Sequence, residues 1–330
     1  MIIRQQLPHY IHLMRLHKPI GIMLLLWPTL WALWLASHGS PDNKILIIFI
    51  LGVLLMRSAG CVVNDFADRH IDAYITRTKD RPFASGKVSA KEALLLAALL
   101  TLCAFALVLM CNILTIKLAF IGAILAFFYP FMKRFTYFPQ LGLGLAFTWG
   151  IPMAFAAETG EVRFGAWVLY GTGIVWPIIY DTMYAMVDRT DDLKIGVKST
   201  AILFDHMDKL IIGLLQNLFL AMLVIVGLIF RMHLLYYLSL VIVALLFLYQ
   251  QWLIKQRDPQ KCFRAFLNNN WVGFIIFMGI LLNYLCPHPY SYVGNCGDCF
   301  HLADRANTIC ANIKQHDIQL SALWQDRREK

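Results

Sequence analysis

Nine stretches of mostly apolar residues recur along the chain, each close to the roughly 20 residues that an α-helix needs to cross a bilayer. They cover 20–37, 44–63, 93–111, 113–132, 139–156, 164–187, 209–230, 234–254 and 271–286. The first follows Arg4, Arg15 and Lys18, as a secretion signal would. It is too long for a signal core, contains Pro28 and precedes further apolar runs, so retention is expected. The pattern predicts an all-α membrane protein.

The polar residues between the runs alternate in character. With the N-terminus inside, the inner loops carry Arg4, Arg15, Lys18, Arg69, Arg77, Lys79, Arg81, Lys87, Lys91, Lys133, Arg134, Arg189, Lys194, Lys198, Lys209, Lys255, Arg257, Lys261 and Arg264. The outer side before residue 287 holds only Lys44, Lys117, Arg163 and Arg231. The positive-inside rule therefore predicts that the inner loops are cytoplasmic. Acidic clusters follow the second run (Asn64, Asp65, Asp68, Asp72) and the sixth (Asp188, Asp191, Asp192), four runs apart, and each leads into a loop rich in Lys, Arg, Gly and Ser. That recurrence predicts two pseudo-repeated four-helix halves with a ninth helix appended, around a central cavity open to the cytoplasmic side.

Composition changes the picture little. A 59% hydrophobic content with 15% charged residues, and a mean hydropathy of +0.61, exclude a soluble domain of 330 residues. The net charge of +9 invites a nucleic-acid partner, but the cations are spread between apolar runs, so topology accounts for them better. Of eight cysteines, Cys61, Cys103 and Cys111 fall in apolar runs and are expected to be small buried hydrophobes. Cys286, Cys296, Cys299 and Cys310 lie at or beyond the last run, where disulfides and a metal pair are both open readings. Residues 287–330 are polar, lack long apolar periods and are expected to be a peripheral or disordered extension.

The candidate chemistry lies in the acidic clusters. Residues four apart share a helix face, which groups Asn64, Asp68 and Asp72, and likewise Asp188 with Asp192. Stacked like charges destabilise a helix, so a cation between them is expected. Mg²⁺ shared with the oxygens of a diphosphate suits these hard ligands. Asp65 and Asp191 point elsewhere on their helices. Arg57 lies seven residues before Asn64, near the same face and two turns deeper. A buried Arg normally faces a cavity, although pairing with a carboxylate such as Asp181 is the plainer reading. Tyr180 and Tyr184 continue the Asp188/Asp192 face inward, as cavity lining or as packing. Lys133 and Arg134 follow the fourth run, as phosphate or carboxylate holders or as membrane anchors.

These residues fall in a pattern: Gly60-Cys-Val-Val-Asn64-Asp-x-x-Asp68-x-x-x-Asp72; Arg81-Pro82; Tyr129-Pro130-Phe-Met-Lys-Arg134; and Tyr180-Asp181-Thr-x-Tyr184-Ala-x-x-Asp188-x-x-x-Asp192-x-Lys-Ile-Gly-x-Lys-Ser-Thr200. The pattern resembles the intramembrane aromatic prenyltransferases, as do Lys18-Pro-Ile-Gly21, Trp27-Pro-Thr-Leu-Trp-Ala-Leu-Trp34 and Asn268-Asn-Asn270. The resemblance covers residues 10–286. It implies a bacterial inner-membrane enzyme that binds Mg²⁺ and a polyprenyl diphosphate through the acidic motifs Asn64, Asp68, Asp72, Asp188 and Asp192. The acceptor it implies is 4-hydroxybenzoate, as in ubiquinone biosynthesis, with naphthoate or haem as alternatives. It further implies that Lys194 and Lys198 neutralise departing diphosphate, and that Arg57 or Arg134 holds the carboxylate. A secondary transporter would instead gather ion ligands near the midplane of broken helices.

Overall fold

The computed structural model describes residues 2–69 and 81–286, and every regular element among them is helical. In chain order these are α1 (Ile2–Leu13), α2 (Ile20–Ala36), α3 (Asn43–Ala67), α4 (Ala90–Val108), α5 (Ile113–Phe128), α6 (Pro139–Phe147), α7 (Gly150–Thr159), α8 (Phe164–Ile195), α9 (Thr200–Phe204), α10 (Asp208–Ile229), α11 (Leu234–Ile254) and α12 (Pro259–Leu285). Asp72 and the extension 287–330 lie outside the described residues.

Seven segments are long and apolar enough to cross a membrane, taking α5 with its following 3₁₀ turn, α6 with α7, and α9 with α10 as single segments. The remaining two expected spans differ for separate reasons. Helix α2 is apolar but has only 17 residues. Helix α8 has 32, and its C-terminal half carries the acidic residues from Asp181 to Asp192. The outer surface is strongly apolar: Leu95 is 72% exposed, Leu248 67% and Leu228 66%, an arrangement suited to lipid rather than water.

The boundaries depart from the hydrophobic runs where backbone chemistry intervenes. The run 139–156 is two helices, broken at Thr148–Trp149. Pro152 lacks the N–H that would bond the Thr148 carbonyl, and that carbonyl instead accepts from Ile151 N at 2.9 Å. The run 164–187 continues for another two turns to Ile195, because Asp188 to Lys194 are polar yet remain helical. Helix α12 starts at Pro259, twelve residues before the run at 271; Asp258 caps it by accepting from Lys261 N at 2.9 Å. Cys103 is exposed on the outer face of α4 rather than buried, whereas Cys61 is buried as expected.

Large aromatics fill the centre. Trp31 and Trp176 are fully buried and lie 5.3 Å apart. Three successive asparagines of α12 tie it to different helices: Asn268 accepts from Gln250 of α11 (2.9 Å), Asn269 from Trp176 of α8 (3.0 Å) and Asn270 from Trp27 of α2 (3.0 Å). In lipid, where apolar contact alone gives little preference between helices, such bonds define partners and register. Helix α1 packs on α3. Its end carries Leu13 into a small second core with Val62, Val88, Ala93 and Ala97, and Tyr10 donates to Glu92 at 3.1 Å.

Candidate active site

The C-terminal ends of α3 and α8 meet at a cavity of about 310 Å³, lined by Asn64 and Asp68 from one helix and Asp188 and Asp192 from the other. Each end is shaped by a specific local device. Asp68 is the C-cap of α3, and its Oδ2 accepts from Asn64 Nδ2 at 3.2 Å, so the two lie side by side as the four-residue spacing requires. Gly196 closes α8 in the left-handed conformation (φ 70°), where a side chain would be strained, and turns the chain back so that Val197 and Lys198 also line the cavity. Ser199 then caps α9, and the Thr182 and Thr200 hydroxyls, 2.6 Å apart, clamp that turn to α8.

Cations face these carboxylates. Lys133 forms an ion pair with Asp68, and Lys198 reaches the carbonyl of Phe135 at 3.3 Å beside the Tyr137 ring. Arg15, Lys18 and Arg81 also line the cavity. Asp65, 2% exposed, is turned away from Asn64 and Asp68 and gathers Arg15 (2.5 Å) and Arg81 (3.1 Å). Burial works against the charge of Arg15, but Asp65, together with Cys61 and Tyr184, more than offsets it and holds the guanidinium pKa above its ordinary value. Asp65 thus anchors two cations of the cavity.

Deeper in the cavity stand Arg57, Tyr129, Phe147, Tyr180, Asp181 and Tyr184. Arg57 is not paired with Asp181; it donates to Cys61 Sγ at 2.5 Å and lies over the Phe147 ring, 5.6 Å from its centre. Gly21 of α2 makes room for it, since a Cβ there would lie 2.6 Å from Arg57 Nε. Among the described residues Arg57 Nε and the Tyr180 hydroxyl are buried with no partner, a cost of about 1–3 kcal/mol each that a polar ligand atom would relieve. Tyr184 packs against Phe266, with ring centres 4.7 Å apart, and so both packs and lines the cavity. Arg57, Tyr129 and Phe147 also line a second cavity of about 180 Å³, whose other walls, including Gly52, Val53, Phe105, Ala123 and Trp149, are almost wholly apolar.

Two expected residues stand apart. Arg134 is exposed, sits over Phe131 and donates to the Ala67 carbonyl, so it caps the end of α3 instead of facing the cavity. The 3₁₀ turn Tyr129–Arg134 points consecutive residues in different directions, and Lys133 takes the inward position. Lys194 is 70% exposed and pairs with Asp191 at 3.5 Å, outside the cavity. Conversely, Arg15, Lys18, Gln140 and Asp181 line the cavity without having been singled out for it. Asp181 lies seven residues before Asp188, the offset that separates Arg57 from Asn64, and that offset was a readable signal. Gln140 reaches the cavity only through tertiary packing.

Among the described residues no three His, Cys, Asp or Glu side chains stand close enough to enclose a metal ion alone. Mg²⁺ typically takes one or two protein carboxylates and completes its shell with substrate phosphates and water, so the oxygen donors at this mouth fit it when a phosphate is bound beside them.

The chain matches the UbiA prenyltransferase family over residues 25–279. It is 58% identical over 282 residues to the 4-hydroxybenzoate octaprenyltransferase of Coxiella burnetii (strain CbuK_Q154), covering 86% of this chain and 98% of that protein. Similarity to the enzyme of the same name from Alkalilimnicola ehrlichii is 57% over 281 residues, or 85% and 96% of the two chains. The fold is shared with a UbiA homolog from Aeropyrum pernix K1 (TM-score 0.70, 24% identity, 79% of this chain and 97% of that one). It is also shared with a UbiA homolog from Archaeoglobus fulgidus bound to GPP and Mg²⁺ (TM-score 0.63, 15% identity, 83% and 99%).

Proposed function

The chain belongs to the UbiA prenyltransferase family, and we propose that it transfers a polyprenyl group from polyprenyl diphosphate to the ring carbon ortho to the hydroxyl of 4-hydroxybenzoate. The observation that carries this reading is the joining of two cavities. One has acidic and basic walls suited to a diphosphate with its cation; the other has apolar walls suited to an isoprenoid; they share Arg57, Tyr129 and Phe147. A diphosphate ester with a long hydrocarbon tail has that same division of chemistry.

In this reading Asn64, Asp68, Asp188 and Asp192 hold Mg²⁺, joined by Asp72, which lies outside the described residues. Bound there, Mg²⁺ supplies electrophilic stabilisation of the charge that develops on the diphosphate. Lys133 and Lys198 line the same mouth and neutralise the leaving group as its bond to the allylic carbon breaks. Arg57 binds the benzoate carboxylate through two parallel hydrogen bonds, in place of its contact with Cys61. Tyr180 and Tyr184 bound the space for the acceptor ring. The apolar cavity holds the first isoprene units and directs the tail toward lipid.

The topology belongs to the same proposal: nine crossings, with the N-terminus and the cavity mouth on the cytoplasmic side of a bacterial inner membrane, where Mg²⁺ and phosphorylated metabolites are available. The test is direct. Membranes containing the protein, given Mg²⁺ and a polyprenyl diphosphate, are offered 4-hydroxybenzoate, a hydroxynaphthoate and haem in separate reactions. Prenylated 4-hydroxybenzoate is the expected product; transfer only to one of the other two acceptors overturns the reading.

A further inference from the structure

Asp181 is a carboxylate of the cavity wall with no role in the binding just described. It stands two turns of α8 inside Asp188, at the level that Arg57 occupies on α3. Gln140 of α6, 3% exposed, hydrogen-bonds the Asp181 carboxylate. The Gln140 Oε1 atom accepts from Thr200 N at 3.2 Å, which leaves its NH₂ end as the one that donates to Asp181. Gln140 thus ties α6 and the start of α9 to the side of the cavity that carries Asp181. A carboxylate inside a membrane protein is costly, and one without a salt-bridge partner among the described residues faces the cavity for a reason. The charged and titratable groups around it are Arg57 of α3, Tyr129 and Lys133 of the 3₁₀ turn, and Tyr180 and Asp188 of α8; α6 and α9 present neutral Gln140 and Thr200.

We infer that Asp181 is the catalytic base that takes the phenol proton of the acceptor as its ring carbon attacks. The inference rests on the proposed reaction. A para-hydroxy acid presents a carboxylate at one end and a phenol at the other. The cavity presents a cation, Arg57, and an anion, Asp181, on separate helices. With the carboxylate on Arg57, the phenol is directed toward Asp181. The bond from the allylic carbon to the diphosphate oxygen breaks, with its electron pair leaving on the diphosphate, and the ortho carbon forms the new C–C bond. The O–H pair becomes the carbonyl of a cyclohexadienone while the proton passes to Asp181. The ring proton then leaves to the released diphosphate, Asp181 returns its proton to the oxygen, and the aromatic ring is restored. The net change is transfer of the prenyl group and release of protonated diphosphate. A positioned base of this kind accelerates such a step by roughly 10²- to 10⁴-fold.

The experiment compares wild type, Asp181→Asn and Asp181→Glu in membranes, with Mg²⁺, a polyprenyl diphosphate and either 4-hydroxybenzoate or its 3-fluoro derivative, whose phenol is more acidic. The expected result is a loss of roughly 10²- to 10⁴-fold in turnover of 4-hydroxybenzoate in Asp181→Asn, with little change in KM for the prenyl diphosphate. Turnover of the fluorinated acceptor falls at least tenfold less, because that phenol ionises without help, and Asp181→Glu recovers part of the loss. Equal losses with both acceptors, a loss confined to KM, or normal turnover of Asp181→Asn would each overturn the role. Failure of the wild type itself to prenylate 4-hydroxybenzoate, with protein present in the membrane, overturns the proposed function and this role with it.

Discussion

Individual side chains account for most of the expected behaviour. If Mg²⁺ and diphosphate bridge both acidic helix ends, neither end suffices alone: Asp68→Ala and Asp188→Ala should each abolish nearly all turnover while the protein still inserts, and chelation of Mg²⁺ should do the same reversibly. Near-normal turnover in either purified variant at ordinary Mg²⁺ would sink the bridged arrangement. Arg57 is a sharper case. Arg57→Lys keeps the charge but loses the planar fork, so use of 4-hydroxybenzoate should weaken by about 1.5–3 kcal/mol, the range for hydrogen bonds to charged groups. Gly21→Ala approaches the same group from α2, within the lining of the same cavity. A methyl at that position meets the guanidinium rather than backbone, so the arginine must move, and the acceptor KM should rise while that for prenyl diphosphate stays near normal. Acceptor kinetics of the two variants, measured together, check the point: an unaffected acceptor KM in both removes Arg57 from the carboxylate. The four-residue and seven-residue spacings made the Asn64/Asp68, Asp188/Asp192 and Arg57 positions legible, because side chains on one helix need no tertiary information to be placed together. Arg134 was misplaced for the opposite reason. Adjacent residues in a short 3₁₀ turn diverge in direction, and nothing local separates Lys133, which lines the cavity, from its neighbour, which caps α3.

Between elements, the position of α8 depends on a buried junction beside its acidic face. Arg189, between Asp188 and Asp192 in sequence, pairs with Asp208 at the start of α10 (3.2 Å). Arg257, in the connection from α11 to α12, grips the same carboxylate through Nε (2.8 Å) and a second nitrogen (2.7 Å), from a left-handed backbone with φ 55°. Hydrogen bonding to Asp208 holds the Arg257 pKa above its ordinary value. Asp208 has no exposed surface, so Asp208→Asn removes the charge that both cations face, leaving Arg189 its ion pair with Asp205 and Arg257 its bond to the His206 carbonyl. Breaking a fully buried pair costs about 3–5 kcal/mol. Arg189 and Arg257 are 20% and 34% exposed and can turn to water, so a loss of about 1–3 kcal/mol is the better expectation. Thermal unfolding in detergent should show a lowered midpoint, and the KM for prenyl diphosphate should rise as the α8 end loosens; an unchanged midpoint would show the junction to be dispensable. None of this was readable in the chain, since Asp208 begins α10 and Arg257 lies in the connection from α11 to α12, and only the packed helices bring them together. The division of the run 139–156 was closer to legible, for Pro152 removes a donor at a predictable distance from the break.

For the whole molecule the hydrophobic runs foretold an all-helical, lipid-facing chain because burial in lipid demands long apolar segments with internally satisfied backbones. The runs carry no information on which helices touch. Trp27, Trp176 and Gln250, which join α12 to three other helices through its asparagines, are ordinary apolar-run residues until the fold is known. Orientation is a separate property, resting on charge alone. Lys87 and Lys91 follow one acidic cluster and Lys194 and Lys198 the other, whereas the turns around Ser40 and Glu161 carry only Lys44 and Arg163. Ser85 and Ser199 should therefore be cytoplasmic, and Ser40 and Glu161 should face the opposite side. Single-cysteine probes at these four positions decide the matter, read with a membrane-impermeant thiol reagent on intact cells. Ser40 is exposed in the turn after α2, and Glu161 in the turn before α8, so reagent reaching that side of the membrane will find both. Probes at Ser40 and Glu161 should react, and a probe at Ser85 should react only after lysis. A probe at Ser199 is 4% exposed and serves as a stricter version of the same test, reacting slowly even in lysed cells. Rapid labelling at Ser85 from outside would invert the molecule, and with it the side from which Mg²⁺ and diphosphate reach Asp68 and Asp188.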